Sequence, residues 1–197
     1  MTLRTLVKIS NITNLSDARY CAGMGVEWLG FSMDTIALDR FNEIRGWLAG
    51  VSIVGETDAP HLDQIKALVA EYKPDVLQIS HVELVEEVKE LGLPIILKLD
   101  LAEGLPTELR GADYYLIDHS DPFAHIDPPT LGYLDQFAYK YPTLLAFGIN
   151  EMNVLEVIDQ IPVKGIALAG GEETRPGFKE FGEMMDILER LDEEGDF

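Results

Sequence analysis

The stretch that decides the fold is LVKISNIT, residues 6–13, near the start of the chain. Its apolar residues flank a single lysine, and the run then ends in Ser10 and Asn11, so the pattern predicts a buried strand that delivers polar groups at its C-terminal end. Similar runs recur along the chain at near-regular spacing. Most are almost continuously apolar, which is typical of parallel strands covered on both faces. The predicted strands are Leu6–Ser10, Trp28–Met33, Val51–Gly55, Val76–Ser80, Pro94–Leu99, Tyr114–Asp118, Thr143–Phe147 and Gly165–Ala169.

Helical patterns lie between most of these strands. The first has Ser16 as its predicted N-cap, and the third is expected to end at Gly92. The fifth connection, AEGLPTELRGA, is predicted to hold barely a turn of helix, and the sixth begins with a proline-rich loop. The helical patterns are SDARYCAGMG, HLDQIKALVAEY, HVELVEEVKELG, NEMNVLEVIDQI and GFKEFGEMMDILERL.

Strands that alternate with helices indicate a parallel α/β fold, either a closed barrel or an open doubly wound sheet. No GxGxxG turn follows a predicted strand, which weakens the dinucleotide-binding alternative. The count of eight strands favours the barrel. We therefore predict a compact (βα)8 TIM barrel with an eight-stranded parallel sheet, in which residues 1–197 form a single domain.

Composition and charge narrow the class of partner. The chain has 197 residues, of which 47% are hydrophobic, so it can bury a sizeable core. A net charge of −20 argues against nucleic acid and anionic membranes, because both are polyanions. Cys21 is the only cysteine, so no internal disulfide can form. With no apolar run of membrane-spanning length and no secretory leader pattern, we expect a cytoplasmic protein that binds a small molecule.

Polar residues collect where the predicted strands end, and in a barrel this is the catalytic face. Lys8 and Lys98 alternate with these residues and are expected to be buried charges paired with Asp100 or Asp118. Taken one at a time, Ser10, Ser80 and Asp118 could equally begin turns or cap helices. The strand-end residues are Ser10, Asn11, Asp34, Glu56, Ser80, His81, Asp100, Asp118, His119, Gly148, Asn150, Gly170, Gly171 and Glu172.

Five segments resemble, in order, those of the phosphoribosylanthranilate isomerase family of tryptophan biosynthesis. VKISNITNLSDARYCAGMGVEWLGFSM is similar to an opening of the KICGxT and GADxxGFVF type, and DVLQISH resembles DxVQLHG. YYLIDHS resembles xxLLDS, and TLLAFGINEMNVLEVI resembles xLLAGGLxxxNVxxAI. GIALAGGEETRPGFKEFGEM resembles GVDVSSGVExxPGxKDxxKI and is the most specific match, through Glu173, Thr174, Pro176, Gly177 and Lys179.

The resemblance implies an Amadori rearrangement of an aminoaldose to an aminoketose, without a cofactor and without a metal. It implies that Asp118 is the general acid. Ser10 stands at the position of the family's basic cysteine, and Arg40 loosely matches an arginine for the substrate carboxylate. Positions that the family fills with asparagine and histidine are Glu56 and Ser80. The remaining implied substrate-binding residues are Lys8, Asn11, His81, Gly148, Gly170 and Gly171.

Several residues differ from the family's pattern, and these differences affect the chemistry that the resemblance implies. A serine hydroxyl is a much weaker acid than a thiol, so its oxyanion is scarcely available without an adjacent base. Phe147 replaces a glycine next to the expected phosphate site, and a glycine-rich loop after strand six is replaced by DPFAHIDPP. Both changes alter the face on which a phosphate would approach the backbone.

Four readings remain open from sequence. The first is a ribosyl isomerase whose base is Glu56 or His81, acting on a small ligand, with or without a phosphate, as a monomer or homodimer. The second is a paralogous barrel with a different ligand or reaction, including a metal held by strand-end carboxylates and histidines. The third is a non-catalytic binding protein. The fourth is a hydrolase in which a histidine joins Ser10 and Asp118, although no GxSxG motif is present.

Overall fold

The eight predicted strands close into a barrel in the order β1 to β8, and every neighbouring pair, including β1 with β8, is parallel. The structure is a computed structural model that describes residues 2–109, 111–170, 173–175, 178–179 and 182–193. The predicted (βα)8 class is confirmed. The strands are β1 Leu6–Ser10, β2 Trp28–Ser32, β3 Ser52–Thr57, β4 Val76–Ile79, β5 Ile95–Asp100, β6 Tyr114–Asp118, β7 Thr143–Leu145 and β8 Gly165–Ala169.

Helices cover the outside of the barrel. Short 3₁₀ turns at Val82–Leu84 and Lys89–Leu91 flank α4, and the fifth connection holds only the turn Leu101–Glu103, as its weak pattern predicted. Within the described part of the chain, no helix combines the length and apolar character needed to cross a membrane. The helices are α1 Leu15–Gly23, α2 Leu38–Arg45, α3 Leu62–Tyr72, α4 Val85–Val88, α5 Pro128–Lys140, α6 Val154–Gln160 and α7 Gly182–Leu191.

The structure corrects four local predictions. The N-cap of α1 is Asn14 rather than Ser16, because the Asn14 side chain accepts the Asp17 N–H at 2.9 Å. α2 was not predicted. The HVELVEEVKELG segment is mostly 3₁₀, although it does end at Gly92 with a positive φ of 71°. The last predicted helix starts later, because β9 Glu173–Arg175 and β10 Phe178–Lys179 form an antiparallel pair.

Side chains inside the barrel change character along its axis. The N-terminal half is filled by an apolar cluster, and the rings of Trp28 and Tyr114 meet edge to face there, with centroids 5.0 Å apart. Lys8 and Gln78 lie above that cluster and are buried. The strands therefore present a dry floor and a polar upper layer, as inward alternation along β1 and β4 predicts. The cluster comprises Val54, Val76, Ile96, Leu116, Leu144 and Ala167.

Closure of the barrel requires the backbones of β1 and β8 to approach each other closely at Gly165. This residue pairs with Leu6 of β1, and a Cβ there would lie 2.3 Å from the Leu6 carbonyl oxygen and 2.9 Å from the Leu6 Cβ. We predict that Gly165→Ala lowers the free energy of unfolding by about 1–3 kcal/mol, because the β1–β8 seam must separate to admit a methyl group.

The matched control is Gly132→Ala on α5, where a Cβ would meet nothing within 4 Å. That variant should gain up to about 1 kcal/mol, since alanine favours a helix over glycine. Urea unfolding followed by circular dichroism measures both. Equal stability of the two variants would contradict the role of Gly165 in closing the barrel.

Candidate active site at the barrel mouth

The C-terminal ends of the strands enclose a cavity of about 290 Å³. Ser10 and Asp118 both line it, so the two residues expected to act together share one space. Four carboxylates line this cavity, from Asp34, Glu56, Asp58 and Asp118, together with the ammonium of Lys98. We call this space the mouth cavity.

Lys8 lies directly beneath Ser10 and is fully buried. Its ammonium donates to Ser10 Oγ at 2.5 Å and forms a short ion pair with Glu56 Oε1. The partner predicted for Lys8 was Asp100 or Asp118, and the structure corrects this to Glu56. A buried ammonium requires such a partner, because an unpaired charge in the interior is costly.

Two backbone features make room for this ion pair. A Cβ on Gly30 of β2 would lie 2.2 Å from Glu56 Oε1 and 3.1 Å from Lys8 Nζ, so a larger residue there would displace the Glu56 carboxylate. Asn11 has a left-handed backbone with φ of 57°, and its N–H donates to Glu56 Oε2 at 3.2 Å. Each carboxylate oxygen of Glu56 is therefore held by a separate donor, and the side chain is only 12% exposed.

Lys98 and Asp118 form a second ion pair, with Lys98 Nζ 2.9 Å from Asp118 Oδ2. This confirms the pairing predicted for Lys98, but the prediction that Lys98 is buried is wrong, because its side chain is 40% exposed at the open mouth of the barrel. Burial opposes the charge of the ammonium, but the hydrogen bond and negative charge of Asp118 outweigh it and raise the pKa of Lys98 above its ordinary value. The other oxygen of Asp118 accepts the N–H of His119 at 2.9 Å. Lys98 therefore stays protonated at neutral pH while it faces the cavity.

Gln78 of β4 carries a buried acceptor without a partner among the described residues. Its residue is 7% exposed and lines the mouth, and its Oε1 has no hydrogen-bond partner in the described part of the chain. A buried amide oxygen without a donor costs about 1–3 kcal/mol.

Carboxylates on the rim are tied to neighbouring strands. Asp34 accepts from Thr57 Oγ1 at 2.7 Å and from the Asp58 N–H at 2.8 Å. Ser80 donates a short hydrogen bond to Asp58. These bonds fix the orientation of both aspartates and leave their remaining lone pairs open to the mouth cavity.

A second cavity of about 560 Å³ adjoins the first at the ends of β7 and β8. Gly148 and Gly170 line it, as expected for strand-end glycines, and so does Phe147. Phe147 is buried against His119, with ring centroids 5.4 Å apart. The predicted Gly171, and Pro176 and Gly177 of the C-terminal motif, lie outside the described residues.

Other predicted site residues lie away from the mouth cavity. Arg40 is on the surface of α2, where it pairs with Glu43 at 2.7 Å. His81 contacts the Asp58 carbonyl oxygen at 3.2 Å and Glu83 at 3.4 Å. Ser80 lines a small outer cavity next to Lys98 and the mouth. The structure therefore brings Ser10, Asn11, Glu56 and Asp118 together but does not bring Arg40 to them.

Two of the alternative chemistries gain no support from this geometry. Among the described residues, no group of three or more His, Cys, Asp or Glu side chains is arranged to hold a metal ion. The described partner of Ser10 Oγ is Lys8, whereas His119 accepts the Asp121 N–H and His81 contacts Asp58. The arrangement in the described chain is thus not that of a serine–histidine–aspartate hydrolase.

Sequence reasoning did not identify Gln78 and Asp58 as lining residues. For Gln78 a signal existed, because period-two alternation on β4 turns it inward with Ser80. Asp58 lies one residue beyond the end of β3, where sequence alone does not fix the direction of a side chain.

The fold and the site define the class of this protein as a parallel (βα)8 barrel with charged side chains gathered at the C-terminal ends of its strands. No protein-family model matches the sequence. Relatives do: phosphoribosylanthranilate isomerase of Geotalea uraniireducens is 30% identical over 203 residues, which covers 94% of this chain and 98% of the relative. That of Synechococcus sp. (strain JA-2-3B'a(2-13)) is 29% identical over 98% of this chain and 92% of the relative.

A solved structure agrees with these relatives. The crystal structure of phosphoribosyl anthranilate isomerase from Thermus thermophilus superposes with a TM-score of 0.74 at 26% identity, over 94% of this chain and 98% of that one. The chain belongs to the phosphoribosylanthranilate isomerase family.

The buried ion pair generates the first prediction for the site. Lys8→Met should lower the free energy of unfolding by about 3–5 kcal/mol, because it leaves the Glu56 carboxylate buried without its counter-ion. Lys8→Met combined with Glu56→Leu should recover most of that loss, since two apolar side chains can fill the same volume. Urea unfolding of the three proteins tests this, and a double variant as unstable as the single one would contradict it.

Asp100 generates a pH-dependent prediction. Burial opposes its charge, but N–H groups of Ala102 and Ser120, at 2.9 and 3.1 Å, prevail and hold the pKa of Asp100 below its ordinary value of 3.8. Its contribution to stability is therefore present above pH 3.8 and is lost as the pH falls through the lowered pKa.

We expect Asp100→Ala to cost about 1 kcal/mol at pH 7, and the difference from the parent protein to shrink towards pH 2. Asp135→Ala, at an exposed site on α5, is the control and should show a small difference that does not depend on pH in this way. Thermal unfolding across pH 2–7 measures both. A difference for Asp100→Ala that grows on acidification would contradict the assignment.

Proposed function

We propose that this chain catalyses the rearrangement of an aminoaldose to an aminoketose, with Glu56 as the base in place of a thiol. The observation that carries the proposal is the position of the Glu56 carboxylate. It lines the mouth cavity, is held beside Ser10 through Lys8 and the Asn11 N–H, and shares the cavity with the Lys98–Asp118 pair. A base and a proton-donating pair thus face one enclosed space.

The reaction needs an acid first. A proton delivered to the ring oxygen of the sugar breaks the bond between that oxygen and C1, and the amine nitrogen supplies electrons to form a Schiff base. The Lys98–Asp118 pair suits this step, since the Lys98 ammonium carries the proton and Asp118 Oδ2, 2.9 Å away, can relay it to the ring oxygen. The pair, rather than either residue alone, is therefore the acid.

The base then removes the proton from C2, and the resulting enolamine tautomerises to the ketone. An ionised carboxylate abstracts such protons in other barrel isomerases. Ser10 is too weak an acid to form an oxyanion that could act as the base. Its hydroxyl accepts a hydrogen bond from the Lys8 ammonium. The Glu56 carboxylate is held in place by the Lys8 ammonium and the Asn11 N–H before a substrate enters.

The test compares turnover by Glu56→Gln and Ser10→Ala. Glu56→Gln should lower kcat by about 10²–10⁴-fold, the typical contribution of a positioned base, while Ser10→Ala stays within a few-fold of the parent. The substrates are freshly made N-(5-phosphoribosyl)anthranilate, followed by loss of anthranilate fluorescence, and the uncharged N-phenylribosylamine, followed by chromatography.

Circular dichroism checks that each variant folds. Turnover of neither substrate above the buffer rate would contradict the proposal. So would a Glu56→Gln variant that keeps the parent rate, or a Ser10→Ala variant that loses as much as Glu56→Gln.

A further inference from the structure

We infer that Asn11 is a specificity-determining residue whose side-chain amide binds the C2 hydroxyl of the sugar. The inference rests on the proposed function in placing C2 next to Glu56, and it names the substrate group that a residue other than the acid and the base recognises. Three features of the described chain carry it: a left-handed backbone on a residue with a side chain, a turn held by the neighbouring strands, and an amide without a partner beside the base.

Asn11 has a backbone conformation that favours glycine. Its φ is 57°, in the left-handed region where a Cβ crowds the following carbonyl oxygen. Asparagine tolerates this region better than most residues, but glycine adopts it without strain. By resemblance, the KICGxT pattern has glycine at this position. Asn11 therefore stands where the backbone alone would favour glycine, and a strained residue at a site points to a function for its side chain.

The turn that carries Asn11 is held by both strands that neighbour β1. On one side, the N–H of Gly170, just after β8, donates to the Ser10 carbonyl oxygen at 2.8 Å. On the other side, the Ile12 N–H donates to the Gly30 carbonyl oxygen of β2 at 2.8 Å. These bonds fix the backbone before and after Asn11, so its Cβ has a defined position at the mouth cavity.

The amide of Asn11 is available to a ligand next to the base. Asn11 is exposed and lines the mouth cavity, and none of the described residues forms a hydrogen bond with its side chain. Its backbone N–H donates to Glu56 Oε2 at 3.2 Å, so the residue that carries the amide is in contact with the base.

The reaction defines which substrate group meets this amide. A base must approach the carbon that it deprotonates to within about 3–3.5 Å, and the C2 hydroxyl is one bond from that carbon. An amide carries both an acceptor and donors. Its Oδ1 therefore accepts from the C2 hydroxyl of the aminoaldose, and its Nδ2 donates to the same oxygen once this has become the carbonyl of the aminoketose.

The experiment uses two inert, uncharged probes that differ only at C2: 1-anilino-1-deoxyribitol and its 2-deoxy counterpart. Titration calorimetry with the full chain should show that the parent protein binds the hydroxylated probe about two- to tenfold more tightly, the effect of one hydrogen bond. Asn11→Gly retains the left-handed backbone and the N–H that binds Glu56 but removes the amide. In this variant the difference between the probes should disappear, while the affinity for the 2-deoxy probe stays unchanged.

Lys73→Gly is the matched control. Lys73 also has a left-handed backbone, with φ of 49°, but it is the C-cap of α3 and does not line the mouth cavity. Both glycine variants should keep a urea midpoint at or above that of the parent protein, since glycine relieves the strain. Only Asn11→Gly should change the binding of the probes.

Equal affinities of the parent protein for the two probes, binding of neither, or a preference that survives Asn11→Gly would overturn the inference. So would a urea midpoint that falls in Asn11→Gly but not in Lys73→Gly, because the side chain would then stabilise the turn itself. A preference that Asn11→Gly abolishes, in a protein that turns over no ribosylamine, would support the inference and remove the proposed reaction. Turnover by a parent protein without that preference would do the reverse.

Discussion

The upper half of the barrel is built around the buried ammonium of Lys8. A charge with no exposed surface is tolerated only when an opposite charge is held against it, and the Glu56 carboxylate is that partner. That requirement reaches the neighbouring strands. On β2, Gly30 leaves room for the pair, because a Cβ there would displace it. After β1, Asn11 adopts a left-handed backbone conformation, and its N–H binds the second Glu56 oxygen. One ion pair thus constrains three consecutive strands.

The same constraint prepares the site for chemistry. Glu56 is held by Lys8 and a backbone N–H, and Asp118 is held by Lys98 and a backbone N–H, before any ligand arrives. Groups fixed in this way need little reorganisation when charge develops on a substrate, which is the main source of electrostatic catalysis.

Much of the barrel was predictable because buried parallel strands leave apolar runs, and the bounds of β1, β6 and β8 agree with those runs. α2 was missed because only Phe41 and Ile44 of that helix are buried, which leaves little periodicity. The partner of Lys8 was also missed. Alternation tells which residues point inward, but Lys8 is in register with Trp28, and Trp28 with Ser52, four residues before Glu56. The tilt of the strands brings Lys8 to the level of Glu56, and no pattern within one strand encodes that tilt.

The Lys8–Glu56 ion pair gives a physical reason for serine, rather than cysteine, at position 10. By resemblance, the family has a cysteine at the Ser10 position and an asparagine at the Glu56 position. A thiolate on β1 and a carboxylate on β3 are alternative counter-ions for one buried ammonium, and both together would leave Lys8 with an excess of negative charge. Loss of the thiol and gain of the carboxylate therefore belong together physically. The negative charge beside Lys8 is kept, but a side chain on β3 carries it instead of one on β1. A substrate proton that this carboxylate removes must therefore lie on the β3 side of the mouth cavity.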